Sequence, residues 1–548
     1  MNATRALPAS NAYAFPLLIK QLWNAPLLRF GDQEIVYREL KRYTYRELRA
    51  RVGRLASLLA ALDVHFGDTV GVMDWDSHRY LESFYAAPMM GAVLLTVNVR
   101  LSPEQILYTI NHAGPRVLLV NADFLPILAE IASRLETVRR IIWISDDGKP
   151  VPADDKFAGE YEALLAQSSP DFVFEDFDEN TRATTFYTTG TTGLPKGVFF
   201  SHRQLVLHTI TGMAALASSA SGQRFHNGDV YMPITPMFHV HAWGIPFVAL
   251  QLGVKQVYPG RYLPDLLLDL IVRERVTFSH CVPTILQMLL SSPKAESVDL
   301  SGWKVIIGGS PLSPGLTQAA LARGIDVFGG YGMSESCPLL AIAQVHPMLG
   351  ELTAERDMHI RCKGGAPVPL VDLRTVDENL RSVAFDEESC GEVVARAPWL
   401  TLGYLDNVAA SEQLWQGGYL HTQDIGYYEQ GYLKITDRIK DVIKSGGEWV
   451  SSVQIEDLIS QHPAVLETAV FAVKDDRWGE RPLALIVTRA GKTTTEDEIK
   501  AYLARFSEQG VISRYAVPSR VLLVDAIEKT SVGKLNKKLL REKYATAG

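Results

Sequence analysis

The stretch that most constrains this chain is Thr188-Thr189-Gly190-Thr191-Thr192-Gly193-Leu194-Pro195-Lys196, a run of hydroxyls and glycines closed by a lysine. Its backbone N–H groups, its side-chain hydroxyls and one cation can all point at the same anion, and phosphate is the anion such loops hold. The apolar run Val198-Phe199-Phe200 follows, which predicts a turn between two strands rather than a strand feeding a helix. A Walker loop needs glycine immediately before its lysine and Ser or Thr immediately after. Here Pro195 precedes Lys196 and Gly197 follows, so a P-loop NTPase is excluded on spacing. A surface loop is the plainer meaning of such a cluster, and stretches downstream decide against it.

With 548 residues, the chain is too long for one core and divides into about three to four units of ordinary domain size. Its net charge of −8 argues against a nucleic-acid partner, which needs a broad basic face. Cys281, Cys337, Cys362 and Cys390 lack any Cys-x-x-Cys spacing and fit reduced thiols better than a disulfide framework or a metal cluster. Met1 to Ala14 holds no apolar core of signal-peptide length, and no run reaches the ~18–20 apolar residues of a membrane span. The expectation is a cytoplasmic protein without a transmembrane segment, with peripheral membrane contact left open. The sequence is silent on oligomeric state, a homodimer being one arrangement open to it.

From Tyr43 the pattern alternates. Leu48, Val52, Leu55, Leu58, Leu59 and Leu62 recur at helical spacing, then Thr69 to Met73 reads as a buried strand. A helix over His78 to Gly91, a strand at Val93 to Val97, a helix opening at Ser102-Pro103-Glu104-Gln105 and a strand at Val117 to Val120 follow. This rhythm predicts a parallel sheet covered on both faces. Acidic Asp171 to Glu179 reads as a solvated connector. Beyond the loop, strands at Val254 to Tyr258, Val276 to Cys281 and Trp303 to Ile307 alternate with helices at Pro264 to Arg273 and Thr284 to Leu290. The last of these strands stops at Gly308-Gly309-Ser310-Pro311, the sort of turn where α/β sheets place ligands. From about Pro367 short strands predict a small β subdomain, and after the charge-dense Thr436 to Asp441 the last ~110 residues form a compact α+β pattern of domain size. The fold class expected is therefore α/β: a large N-terminal domain of parallel α/β sheets plus a small β subdomain over 1–437, and a small mobile α+β C-terminal domain over 438–548.

Four further stretches join the loop: Pro236-Met237-Phe238-His239-Val240-His241-Ala242-Trp243-Gly244, Gly329-Gly330-Tyr331-Gly332-Met333-Ser334-Glu335, Gly418 to Asp424, and Lys529-Thr530-Ser531-Val532-Gly533-Lys534. In this order and at these separations the set resembles the adenylate-forming superfamily of acyl-CoA synthetases, luciferases and peptide-synthetase adenylation domains, from about Tyr43 to Arg541. Within it the chain looks most like bacterial fatty-acyl-CoA synthetases acting on medium-chain acids, a narrower match carried by Tyr258-Pro259-Gly260-Arg261-Tyr262 and Ser279 to Thr284.

The resemblance implies a ligase that joins a carboxylic acid to coenzyme A at the expense of ATP, with Mg²⁺, releasing AMP and pyrophosphate. Carboxylate attack on the α-phosphate gives an acyl-adenylate, and the CoA thiol then displaces AMP. Both steps build charge on phosphate oxygens, so positioning and electrostatics carry the catalysis. By the resemblance, Thr188, Thr189, Gly190, Thr191, Thr192, Gly193 and Lys196 hold the β- and γ-phosphates, and Glu335 with Thr192 binds Mg²⁺. Ser334 contacts the α-phosphate. Tyr331, flanked by Gly330, Gly332 and Met333, lies along the adenine, with Gly309-Ser310-Pro311 on its other face. Asp424 and Arg438 take the ribose, Lys534 bridges carboxylate and α-phosphate, and His239 is the aromatic gate. Lys440 falls at the hinge about which the C-terminal domain turns, after which Lys444, Ser445, Gly446 and Gly447 line the path of the CoA thiol.

His241 reads more simply as a packed, hydrogen-bonded histidine, and Trp243 and Trp449 as pocket or interface packing. Two departures from the family pattern are serine at Ser334, which keeps the hydroxyl, and Glu528 where proline is common. Gly332 stands where acetate-activating relatives carry tryptophan, which predicts an acid larger than acetate. The alternatives are a short, branched or sulfur-containing acid such as a methylthiopropionate, an enzyme loading a carrier protein, or a catalytically inactive nucleotide binder.

Overall fold

The computed structural model describes residues 8–188, 194–387, 389–445 and 448–544. Thr189, Gly190, Thr191, Thr192 and Gly193 of the phosphate loop, and Gly446 and Gly447, lie outside the described residues.

Two mainly parallel sheets form the large body. In the seven-stranded sheet the order runs Phe157–Glu160, Arg140–Ile144, Pro115–Asn121, Thr69–Met73, Val93–Thr96, Arg182–Thr188, Lys196–Ser201. All neighbours are parallel except the last pair, where Thr188 faces Lys196. The predicted strand-turn-strand around the phosphate loop is thus the antiparallel edge of this sheet. Thr69–Met73 is buried along its whole length, which is why it reads as an unbroken apolar run.

The nine-stranded sheet takes Lys304–Ile307, Phe278–Cys281, Val230–Pro233 and Lys255–Tyr258 as a parallel centre. Its far side adds Glu34–Tyr37, parallel to Lys255–Tyr258, and the antiparallel Lys41–Thr44. This pair begins before Tyr43, where the alternation first shows in the sequence. Helix His78–Met89, every residue of which is buried, touches both Glu34–Tyr37 and strands of the seven-stranded sheet, so it lies between the two. Its Ser77 cap accepts from the Tyr80 N–H, satisfying one of the free donors of the first turn.

A four-stranded antiparallel sheet, Asp372–Val376, Gly391–Arg396, Leu420–Glu429 and Tyr432–Arg438, follows, as the short-strand texture predicts. The five-stranded sheet of the C-terminal segment begins at Ile443–Ser445 and pairs Val465–Asp475 with Gly479–Thr488, which carries Arg520–Leu523 on its other side. Helices Ser452–Ser460 and Glu496–Glu508 complete this segment with a core of its own around Ile455, Val470, Ile486 and Leu503. The acidic connector is not merely solvated. Asp176 pairs with Lys20 at 2.7 Å and accepts from the Tyr13 hydroxyl, and Glu179 accepts from the Leu17 N–H at 2.7 Å, so it straps the N-terminal segment down.

Candidate active site

The strand ends of the nine-stranded sheet build one wall of a cavity. Lys304–Ile307 runs out into Gly308 and Gly309, and Asp326–Gly332 runs on into Met333 and Ser334; Ile306, Gly308, Gly309 and the run from Gly330 to Ser334 line the space. His239, Val240, Trp243 and Ile245 close a second side, with Leu216 and Leu339 behind them. Lys534 completes the ring from more than 190 residues further along the chain. The empty space is about 560 Å³, part of it open to solvent.

Lys534 arrives on a turn held at both ends. The Thr530 N–H donates to the Lys534 carbonyl at 2.7 Å, and Lys529 and Leu535 form a bridge. Onto the large body the turn docks through Thr284, whose hydroxyl donates to the Gly533 carbonyl at 3.0 Å, and Asn98, which donates to the Ser531 hydroxyl at 3.1 Å. Glu528 at its base pairs with Lys543 of the last helix, Lys537–Tyr544, so the departure from proline supplies an ionic brace. Burial pushes the Lys534 ammonium down to about 8, Arg438 adding to the effect while Asp424 and Glu335 oppose it.

Arg438 and Asp424 face each other in the register of Leu420–Glu429 with Tyr432–Arg438. The guanidinium Nε donates to Asp424 Oδ1 at 3.0 Å, and the Tyr331 hydroxyl donates to Oδ2 at 2.8 Å. Tyr331, Asp424 and Arg438 therefore form one chain of contacts beside Lys534. Glu335 is buried, and its Oε1 accepts from the Tyr404 hydroxyl at 2.7 Å. The Lys196 ammonium sits 4.6 Å from the centre of the same Tyr404 ring. Tyr404 thus joins the lysine of the phosphate loop to the carboxylate, a role with no signal in the sequence beyond a lone aromatic after Gly403. The docking role of Thr284, at the end of the Ser279 to Thr284 stretch, is equally without a local signal.

Gly309 lies against Lys534: a Cβ there would come within 3.1 Å of the Lys534 Cε. Ser310 and Pro311 follow on the same turn, Pro311 exposed. Gly330, Gly332, Met333 and Ser334 line the cavity as expected. Gly332 is also fixed by packing. A Cβ there would fall on the Pro338 carbonyl oxygen, so the close pairing of Gly332 with Leu339 requires glycine in its own right.

His239 lines the cavity, and burial pushes its imidazole down to about 3, leaving it neutral. His241 is fully buried against Phe84, Phe186 and Phe200. It is packed as expected, but neither ring nitrogen has a hydrogen-bond partner among the described residues. Trp243 lines the cavity and stacks on His280 at 4.9 Å. Trp449 is 64% exposed, so in this structure it packs into no pocket. Lys444 is exposed beside it, its ammonium 5.5 Å from that ring, and is not brought to the cavity. Lys440, three residues past Asp437, is exposed between the four-stranded and five-stranded sheets.

Mg²⁺ fits this site. The buried carboxylate of Glu335, which shares Tyr404 with Lys196, suits a cation bound mostly through nucleotide oxygens, and no group of three metal-binding side chains occurs among the described residues.

The AMP-binding enzyme family model matches residues 24–405, and the AMP-binding enzyme C-terminal domain matches 454–534. The chain is 39% identical to a long-chain-fatty-acid–CoA ligase of Thermus thermophilus, over 94% of this chain and 93% of that one. It is 35% identical to a 3-methylmercaptopropionyl-CoA ligase of Ruegeria lacuscaerulensis, over 97% and 98%. Among solved structures, ATP-bound MatB from Rhodopseudomonas palustris superposes with a TM-score of 0.82 at 25% identity, over 97% of this chain and all of that one (100%).

Proposed function

The chain belongs to the AMP-binding enzyme family, and from that premise we propose how its own residues divide the work of an ATP-dependent acid–CoA ligase that takes an apolar carboxylic acid. The observation that carries the reading is Lys534, set by a docked turn into the same cavity as Gly309, Tyr331, Ser334 and His239.

In this reading Asp424 and Arg438 take the ribose and Tyr331 the adenine face. Lys196 and Thr188, with Thr189, Gly190, Thr191, Thr192 and Gly193 of the loop, take the outer phosphates. Glu335, oriented by Tyr404, would hold Mg²⁺ with Thr192, and the ion would supply charge neutralisation at the phosphate oxygens. Lys534 brings its ammonium to the acid's carboxylate and the α-phosphate. One carboxylate oxygen attacks that phosphorus, the bond to pyrophosphate breaks, and an acyl-adenylate forms. The CoA thiol then adds to the acyl carbon, loses its proton, and expels AMP. Residues 438–548 act as a mobile domain turning about Lys440, which would exchange Lys534 for Lys444 and the Gly446-Gly447 stretch between the two steps. No described helix is long and apolar enough to cross a membrane, and we place the enzyme in the cytoplasm.

The acid is read from the cavity. Leu216, Val240, Ile245, Ile306, Met333 and Leu339 offer an apolar wall, and among the described residues Lys534 is the one charged side chain that lines it. No carboxylate among those lining residues could pair with an amino acid's ammonium. A medium-chain fatty acid fits, and a short sulfur-containing acid is the second reading, favoured by the identity to the Ruegeria ligase. The test is AMP formation from ATP and Mg²⁺ across straight-chain acids of about two to sixteen carbons and 3-methylmercaptopropionate, each with and without CoA; each apolar methylene accommodated adds about 1–3 kcal/mol of discrimination. CoA-dependent turnover rising from acetate to a maximum at intermediate length supports the first reading, and a maximum at the sulfur acid supports the second. No turnover of any acid in the panel, or AMP release indifferent to CoA, contradicts both.

A further inference from the structure

The residue before Arg438 makes a contact that the chemistry above does not use. Asp437 is 3% exposed. Its Oδ2 accepts from both the N–H of Ser452 at 2.6 Å and the Ser452 hydroxyl at 2.7 Å, while Oδ1 accepts from the Arg438 N–H at 2.8 Å. Ser452 opens helix Ser452–Ser460 on the far side of Lys440. The Lys537 ammonium donates to the same Ser452 hydroxyl at 2.7 Å and pairs with Glu456 at 2.8 Å. Beside this cluster the Ser451 hydroxyl donates to the Thr436 carbonyl at 2.5 Å. Lys537 follows Lys534 by three residues, and Asp437 is adjacent to the ribose-facing arginine.

We propose that Asp437 is a positioning residue: through Ser452 and Lys537 it latches the C-terminal segment in the orientation that puts Lys534 into the cavity, and the latch opens for the CoA step. The inference rests on the reading of Lys440 as a hinge. Asp437 lies before that hinge, whereas Ser452, Glu456 and Lys537 lie after it, so rotation about Lys440 must part the carboxylate from the serine and break the link to the lysine. The arrangement gives the latch both strength and direction. A buried carboxylate with two strong donors and a nearby ammonium holds well when closed, and losing one member of such a set leaves the others unpaired. The turn carrying Lys534 has only two side-chain bonds of its own to the large body, from Thr284 and Asn98 among the described residues. A second anchor at the root of the last helix is what keeps the lysine from drifting.

The test pairs Asp437→Ala and Ser452→Ala with two readouts in the full-length protein. Hydrogen exchange reports docking without any turnover. In Asp437→Ala, amides at 451–455 and 530–534 should exchange faster by about tenfold, while the strands Val465–Asp475 and Gly479–Thr488 keep their protection. Separately timed half-reactions report function. Acid-dependent pyrophosphate release should slow by about tenfold or more, and conversion of supplied acyl-adenylate and CoA to thioester should stay within about twofold. Ser452→Ala, which keeps one backbone bond, should shift both in the same direction by less. Unchanged exchange at both segments, or equal slowing of the two half-reactions with loss of strand protection, overturns the latch. Faster exchange in a protein whose wild type forms no acyl-adenylate leaves the latch standing and removes the ligase reading instead.

Discussion

At the scale of single residues, the role proposed for Lys534 makes adenylation depend on its protonation. Burial lowers it to about 8 from an ordinary lysine value of about 10.4, so the ammonium is present below that pH and is lost as pH rises through it. In the proposed role the charged form is the one that meets two anions. In the free enzyme kcat/KM for ATP should therefore fall above pH 8, approaching tenfold per pH unit. Lys534→Ala should lower adenylation by about 10²-fold or more, as removal of one transition-state donor does, and should lack that alkaline limb. A limb that persists in the variant assigns the titration to another group. Residue identity alone also told only part of the story at Gly332, because a side chain there would meet the Pro338 carbonyl, which comes against it only once the two strands have paired. Tyr404 was invisible for a related reason: its value lies in touching both Lys196 and Glu335, and neither contact leaves a pattern in the chain.

At the scale of elements, the loop from His239 to Gly244 departs most from what local preferences predict. Val240, His241, Ala242 and Trp243 all adopt left-handed backbone, with φ of 49°, 55°, 49° and 59°. Each costs about 1–2 kcal/mol relative to a right-handed turn. Such strain persists where surrounding structure fixes it, and here it aims Trp243 and His239 at the cavity. Gly244 closes the run at φ 68°, and a Cβ there would come within 2.8 Å of the buried His208 ring. Gly244→Ala should therefore destabilise the protein by roughly 1–3 kcal/mol, read as a lowered urea midpoint; an unchanged midpoint contradicts the packing described. The strands and helices of the parallel sheets were legible because strands buried on both faces must be apolar throughout and helices must show one apolar stripe. The left-handed run was not, since nothing in Val-His-Ala-Trp favours it. Nor was Glu34–Tyr37, whose partner Lys255–Tyr258 is about 220 residues distant; long-range pairing leaves no local mark.

At the scale of the whole molecule, the cavity is shared between a large body and a small C-terminal segment, and Lys534 belongs to the second. Lys444 and Trp449 stand exposed in the same structure, which is what one of two alternating orientations would show. The order of motifs was readable because each carries recognisable chemistry at a strand end or turn; how they meet depends on two segments docking through Asp437, Thr284 and Asn98, which no motif records. The central claim is that the carboxylate itself attacks the α-phosphate, and an isotope follows that oxygen directly. With the preferred acid labelled by ¹⁸O in its carboxylate, turnover with ATP, Mg²⁺ and CoA should deliver one labelled oxygen to each AMP and none to pyrophosphate. Label found in inorganic phosphate or pyrophosphate, or AMP free of label, would contradict an acyl-adenylate and with it the proposed roles of Lys534, Glu335 and Arg438.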